Sequence, residues 1–163
     1  MALLLNRSDV QKLLPMSKAI DVVEAAFGEL SAGTAEMPDR TVMIDPAVGG
    51  WIAYMPAYLK SGGALGIKAV TVYKENPTKF GLPTTIGTIL VQDNKTGVVV
   101  AAMDGGLLTG VRTGASSGVA TKHLARKNSK VAGVLGTGVM ARSQVLALAE
   151  SANLDTILVY SRS

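Results

Sequence analysis

The chain has 163 residues, 48% of them apolar and only 17% charged, which suits one domain, or one domain and part of a second, and excludes disorder over most of the length. Mean hydropathy is +0.32, yet the longest clean apolar run, Val98 to Met103, falls far short of the roughly 18 residues a membrane span requires. The net charge of +4 comes wholly from residues after 81, and with so few aromatic side chains and no basic run it points to a small anionic ligand rather than to nucleic acid.

The opening Ala2 to Leu5 is interrupted by Arg7 and Asp9, so no secretory h-region is expected. Cysteine is absent, which removes disulfides, thiolate metal sites and cysteine nucleophiles and is compatible with a reducing cytoplasm. Ser8 and Gln11 have capping-box spacing, and Pro15 closes that first short helix. Ser17 is placed to cap the next, in which Ile20, Val23, Phe27 and Leu30 recur at helical spacing while Lys18, Asp21, Glu24 and Glu29 fall toward solvent. Gly33 is its expected stop.

The period then shortens. Thr41 to Asp45, Trp51 to Met55, Leu65 to Tyr73, Thr85 to Gln92 and Val98 to Met103 read as strands, rich in β-branched residues and separated by Pro and Gly. Val98 to Met103, apolar throughout, suits a strand buried on both faces. Asp93-Asn94-Lys95-Thr96-Gly97 has the composition of a hairpin loop. Hairpin-linked strands behind a helix predict an α+β domain with a mixed or antiparallel sheet.

Asp104 is placed to cap a long helix running to about Arg126, in which Gly110, Gly114 and Gly118 share one face. Glycine weakens a helix interior by up to about 1 kcal/mol relative to alanine, so the stripe implies close packing on another helix or direct approach of a ligand, the first being favoured. Arg112 and Lys122 argue against a membrane dimer face. After a polar break at Lys127 to Lys130, Val131 to Leu135 reads as a strand, Gly136 to Gly138 as a turn, Val139 to Glu150 as a helix with Val145, Leu146 and Leu148 inward, and Thr156 to Tyr160 as a second strand.

Gly136-Thr137-Gly138-Val139-Met140-Ala141 fits the dinucleotide fingerprint G-x-G-x-x-G/A in its proper strand-turn-helix setting. The first glycine permits the tight turn, the second admits a pyrophosphate to the backbone, and the helix N-terminus offers unpaired N–H groups. An NAD site normally has an acid at the end of the following strand. Here the residues are Tyr160-Ser161-Arg162-Ser163, so NADP(H) is favoured, with Ser161, Arg162 and Ser163 suited to a 2′-phosphate and NAD(H) still possible. The alternative for Arg162 is an ordinary solvated arginine.

Lys68 falls on the same strand face as Val70 and Val72, either at a sheet margin with its ammonium in water or in a partly desolvated cleft where it could donate a proton or polarise a carbonyl. Arg40, following Pro38-Asp39, and Arg112, inside a glycine-rich helix, read when taken alone as surface ion-pair partners sooner than as ligand clamps. His123, beside Lys122 late in a helix, reads as solvated and is assigned no role, and no metal site is expected.

These stretches in order, Met37-Pro38 with Arg40, Tyr54-Met55-Pro56-Ala57, Gly66-Ile67-Lys68, Gly81-Leu82-Pro83-Thr84, Leu108 to Ala115, Lys122 to Arg126 and the glycine turn, resemble the ornithine cyclodeaminase / mu-crystallin family, which includes archaeal alanine dehydrogenases and ketimine reductases. The resemblance implies an α/β protein overall: an N-terminal α+β substrate-binding and dimerisation domain over 1–126, followed by the start of a Rossmann dinucleotide-binding domain over 127–163. It implies an NAD(P)-dependent oxidoreductase acting on the C–N bond of a small L-amino acid or cyclic imino acid, or a cyclodeaminase, cytoplasmic and homodimeric, with no nucleic-acid or membrane partner. It implies that Arg40 and Arg112 hold the substrate carboxylate and that Lys68, the catalytic candidate, contacts the carboxylate or reacting centre. Thr84 would neighbour the substrate pocket, while Thr113, Gly136, Thr137, Gly138, Val139, Met140, Ser161, Arg162 and Ser163 would hold the cofactor. Met140 stands where the family often has Gln. Family members continue through the rest of the nucleotide-binding sheet and supply a catalytic Asp there, so the chain is expected to be the N-terminal half of such a protein. Two other readings remain: a mu-crystallin-like protein that binds NADPH and a small ligand without turnover, and an inactive fragment.

Overall fold

A computed structural model describes residues 1–162. The chain divides into two compact units, one formed by Met1–Gln11 and Gly28–Leu107, the other by Lys12–Phe27 and Leu108–Ser163.

The first unit is built on a seven-stranded mixed sheet. Its strands are β1 (Leu3–Leu5), β2 (Ala35–Glu36), β3 (Thr41–Asp45), β4 (Gly50–Leu59), β5 (Ala64–Tyr73), β6 (Thr85–Asp93) and β7 (Val99–Asp104). They lie in the order β1-β7-β6-β5-β4-β2, with β3 also paired to β4, and only the β1–β7 pair is parallel. The mixed sheet expected from the hairpin-linked pattern is therefore present, and β4 runs longer than its Trp51–Met55 core suggested. The β6–β7 loop is the anticipated hairpin. The Asp93 carboxylate accepts from the Lys95 and Thr96 N–H groups and from the Thr96 hydroxyl, bonds that hold its carboxyl below the usual range, the Thr96 hydroxyl first.

Alternation separates the two faces of this sheet. Ala53, Val70 and Ala101, the buried apolar positions of its strands, all fall on one face. On the other, Leu4, Met43, Tyr54 and Ile86 are exposed. Val98, Val99 and Val100 are exposed as well, so β7 is not covered on both sides within this chain as its composition suggested; among its residues only Ala101 is buried.

Two helix starts and one stop show how local chemistry sets boundaries. The first helix, α1 (Arg7–Leu13), is capped by Asn6, whose side-chain oxygen accepts from the Ser8 and Asp9 N–H groups, while Asp9 reaches back to the Asn6 N–H. This reciprocal arrangement replaces the Ser8/Gln11 box expected from sequence, because Asn6 precedes the first helical residue and Ser8 already lies inside. The second, α2 (Met16–Ser31), begins one residue before Ser17. It ends as expected at Gly33, with Thr34 donating to Glu29 O and Gly33 to Leu30 O, the paired bonds of a Schellman stop. A one-turn helix, α3 (Asn76–Lys79), has no counterpart in the sequence reading.

The second unit holds part of α2, most of α4 (Gly105–Leu124), then β8 (Val131–Leu135), α5 (Val139–Ser151) and β9 (Thr156–Tyr160). Asp104 caps α4 through the Leu107 N–H, as its position predicted. β8 and β9 pair in parallel, giving the β-turn-α-β unit read from the sequence. The core gathers Met16, Ala19, Ile20, Ala115, Val119 and Ala147, half of them alanine, with Leu14, Val23 and Val111 packed around them. The glycine stripe explains how. A Cβ on Gly114 would lie 2.5 Å from Ser143 O, and one on Gly118 would lie 2.8 Å from Ser151 Oγ and 2.9 Å from the Ile20 side chain. Helix packing is thus the use of the stripe, with backbones closer than any larger residue allows. The same packing corrects the expectation for α5. Its buried residues are Ser143 and Ala147, whereas Leu146 is exposed.

Candidate functional site: a glycine turn and the cationic residues

The cationic and hydroxyl residues singled out in the sequence divide between the units: Arg40, Lys68 and Thr84 in the first, Arg112, Thr113 and the glycine turn in the second. Lys68 is the fifth residue of ten in β5, with β4 and β6 on either side, opposite Met55 and Ile89. It is half-buried and shares the sheet face that carries Ala53, Val70 and Ala101. Its backbone therefore stands in the middle of the sheet, with a strand on each side. Arg40 immediately precedes Thr41, which pairs with Tyr54, so it stands level with Met55 and Lys68, two strands away and about 10 Å across the sheet. It is exposed. Thr84 lies at the other end of β5, where its carbonyl accepts from Tyr73 N–H at 2.8 Å. That is five residues beyond Lys68, about 16 Å along the strand.

In the second unit Arg112 is on the exposed side of α4 and Thr113 is half-buried, its hydroxyl donating to Thr109 O at 2.7 Å. One turn earlier, Gly110 faces Val139, the first residue of α5, with 3.7 Å between a notional Cβ and the valine methyl. The start of α5 and this part of α4 therefore lie side by side.

The glycine turn has the form its motif requires. Gly136 has φ of +113°, open to glycine alone among common residues. Its N–H donates to Tyr160 O at 2.7 Å, tying the turn to the end of β9. The Thr137 hydroxyl reaches Ser161 Oγ at 3.4 Å. Gly138 occupies the N-cap of α5 with extended backbone and no side-chain cap, so the first N–H groups of the helix are not taken by a local side chain. A cavity of about 510 Å³ adjoins the turn, lined by Gly136, Thr137, Ala141, Arg142, Val145, Leu146 and Val159. Uncapped N–H donors, a glycine backbone and, among the described residues, hydroxyl and guanidinium groups without a side-chain carboxylate at the end of β9 suit a phosphorylated nucleotide. Ser163, also expected in that set, lies outside the described residues.

One cluster escaped the sequence reading. Glu24 of α2, expected in solvent, receives Lys122 Nζ at 2.6 Å on one oxygen and His123 Nε2 at 2.5 Å on the other. Its carboxyl is held below the usual range, first by the Lys122 hydrogen bond and then by that of His123. His123 is thus a hydrogen-bonding partner of Glu24 rather than a merely solvated ring. Nothing in the spacing signalled this, since the partners are nearly a hundred residues apart. Among the described residues, no group of three or more His, Asp or Glu side chains could hold a metal ion, and no helix is long and apolar enough to cross a membrane.

The whole length, residues 1–163, matches the model of the ornithine cyclodeaminase/mu-crystallin family. The chain belongs to that family. It is 37% identical to an alanine dehydrogenase of Archaeoglobus fulgidus over 97% of its own length and 48% of the relative's. Among solved structures, it is similar to the Thermococcus litoralis Δ1-pyrroline-2-carboxylate reductase in complex with NADH and L-proline, at 50% identity and a TM-score of 0.92, covering 99% of this chain and 50% of that one. It is also similar to an archaeal alanine dehydrogenase dimer with bound NAD, at 36% identity and a TM-score of 0.91, covering 98% and 48%. The chain thus spans about half the length of the family members it matches.

Proposed function

We propose that the chain forms part of an NAD(P)-dependent oxidoreductase acting on the C–N bond of a small L-amino acid or cyclic imino acid, with NADP(H) favoured over NAD(H). The observation that carries this reading is the glycine turn: Gly136 at positive φ, anchored to the end of β9, ahead of a helix whose N-terminus has no side-chain cap, in a chain of this family. When bound, the nicotinamide exchanges a hydride with the substrate Cα.

The chain's own residues then bind and orient. Backbone N–H groups of Gly138, Val139 and Met140 hold the pyrophosphate, with Gly136 and Thr137 shaping the turn and Thr113 and Thr84 neighbouring the cofactor or pocket. Ser161, Arg162 and Ser163 bind the 2′-phosphate, where an acid would repel it. Arg40 and Arg112 clamp the substrate carboxylate as planar forks. Lys68, its ammonium on the covered sheet face, stabilises charge at the carboxylate or the reacting nitrogen. A cytoplasmic homodimer fits this reading: one similar structure is described as a dimer, and the sheet face bearing Met43, Tyr54 and Ile86 is open in the single chain.

The test supplies the purified full-length protein, of which this chain forms part, with NADPH or NADH and a panel of cyclic ketimines, and in the other direction with NADP⁺ or NAD⁺ and proline, alanine, ornithine or lysine, following nicotinamide absorbance. Turnover of at least one pair is expected, with Lys68→Met lowering kcat/KM by about 100-fold or more while leaving cofactor affinity unchanged. No absorbance change with any pair, alongside saturable NADPH binding, would replace this reading with a binding protein that does not turn over.

A further inference from the structure

We propose that Arg142 is a second guanidinium for the phosphate that distinguishes NADP(H) from NAD(H), acting with Arg162 across the junction of the glycine turn and β9. This rests on the nucleotide-binding reading above and adds a residue that the dinucleotide fingerprint does not contain. Arg142 sits one residue past Ala141, its backbone N–H bonded to Gly138 O at 3.1 Å, so it belongs to the helix proper and not to the N–H cradle. Its side chain lines the same cavity as Gly136, Thr137 and Val159, and it is the one charged residue among those lining it. The cavity lies on the flank of α5 that faces β9 rather than at the tip of the helix.

Two bonds fix what lies at the head of that flank. Gly136 N–H is held by Tyr160 O, and the Thr137 hydroxyl meets Ser161 Oγ. Thr137 therefore borders both the cavity that holds Arg142 and the residue next to Arg162. The acids of this unit lie elsewhere: Asp155 precedes the opposite end of β9, Glu150 closes the far end of α5, and Asp21 and Glu24 lie on α2. Neither Arg142 nor Arg162 has an ion-pair partner among the described residues. The Arg142 guanidinium in a cavity that Thr137 also lines, with the Ser161 hydroxyl bonded to Thr137, Arg162 next in the chain and no carboxylate among the described lining residues, suits a dianionic phosphate monoester, which accepts bidentate hydrogen bonds from more than one side. A pyrophosphate diester needs neither, because the helix N-terminus already serves it.

The experiment measures dissociation constants of NADPH and NADH by nicotinamide fluorescence, and of 2′,5′-ADP and 5′-AMP by competition, for the protein and for Arg142→Gln, Arg142→Lys and Arg162→Gln. Arg142→Gln is expected to weaken NADPH and 2′,5′-ADP about tenfold or more while leaving NADH and 5′-AMP unchanged, and Arg142→Lys to weaken them less. The selectivity should also shrink with added salt. If Arg162→Gln removes the NADPH preference and Arg142→Gln does not, the Arg142 assignment is overturned and the NADP(H) reading stands. An equal loss for NADPH and NADH would place Arg142 on a shared phosphate and overturn it too. A protein that prefers NADH before any substitution overturns both. Circular dichroism confirms folding, and should the glutamine variant misfold, the lysine variant carries the comparison.

Discussion

Glu24 shows how much one residue can tie together. Both its oxygens are occupied, by Lys122 and His123, so it joins α2 to the last turn of α4. Lys122 also sits where a cation complements a helix C-terminus. Because the Glu24 carboxyl is held below its ordinary value in the folded chain, its contribution to stability is present above the unfolded carboxyl range and is lost as pH falls through the depressed folded value. Glu24→Gln is therefore expected to lower the unfolding temperature at neutral pH, with the gap to the unsubstituted protein closing in acid. Thermal unfolding followed by circular dichroism from about pH 7 down to about pH 3 checks this. A gap that persists unchanged at the acid end would show that the ion pairs are not its source.

Among the elements, α4 is the most constrained, and its three glycines are not equivalent. A methyl on Gly114 meets the Ser143 carbonyl, which is backbone and cannot rotate away; a methyl on Gly110 meets only a valine methyl at ordinary contact distance. Gly114→Ala is expected to destabilise by about 1–3 kcal/mol through overpacking, after subtracting the helix-propensity gain of up to about 1 kcal/mol. Gly110→Ala, which has that gain and no clash, is expected to be neutral or stabilising by up to about 1 kcal/mol. Urea unfolding of the two variants separates them, and equal effects would mean that the helices do not approach as closely as described. Both strands of the β-turn-α-β unit match their sequence boundaries, because Gly and polar residues punctuate them on each side. The cap of α1 lies two residues before the expected Ser8 because Asn, Ser and Asp all serve at an N-cap, and only backbone geometry decides which one precedes the helix.

At the scale of the molecule, each unit leaves an apolar sheet face open. In the second unit Val131, Leu135, Leu158 and Tyr160 share the face of the β8–β9 pair away from the buried Val134, and all four are exposed. A parallel pair is ordinarily covered on both sides. In the first unit the open face carries Met43, Tyr54 and Ile86 in the rows opposite to the Lys68 face. If this second surface joins two copies, light scattering after size exclusion gives twice the mass of the protein. Ile86→Glu would then shift it to the monomer at micromolar concentration, because a charge would be buried without a partner. A monomer before substitution would dismiss the homodimer.

What the sequence alone determined was local. The limits of β8 and β9, the Asp93 hairpin, the Asp104 cap, the Gly33 stop and the glycine turn depend on interactions within a few residues, and residue type and spacing specify those. The central position of Lys68 followed only once register placed a strand on each side of it. The pairing of Glu24 with Lys122 and His123, the use of the glycine stripe for packing, the exposure of Leu146 and the approach of Thr137 to Ser161 were decided by tertiary structure. Each is a contact between segments distant in the chain, and a side chain's partner there is set by which backbones the core draws together, not by its neighbours in sequence.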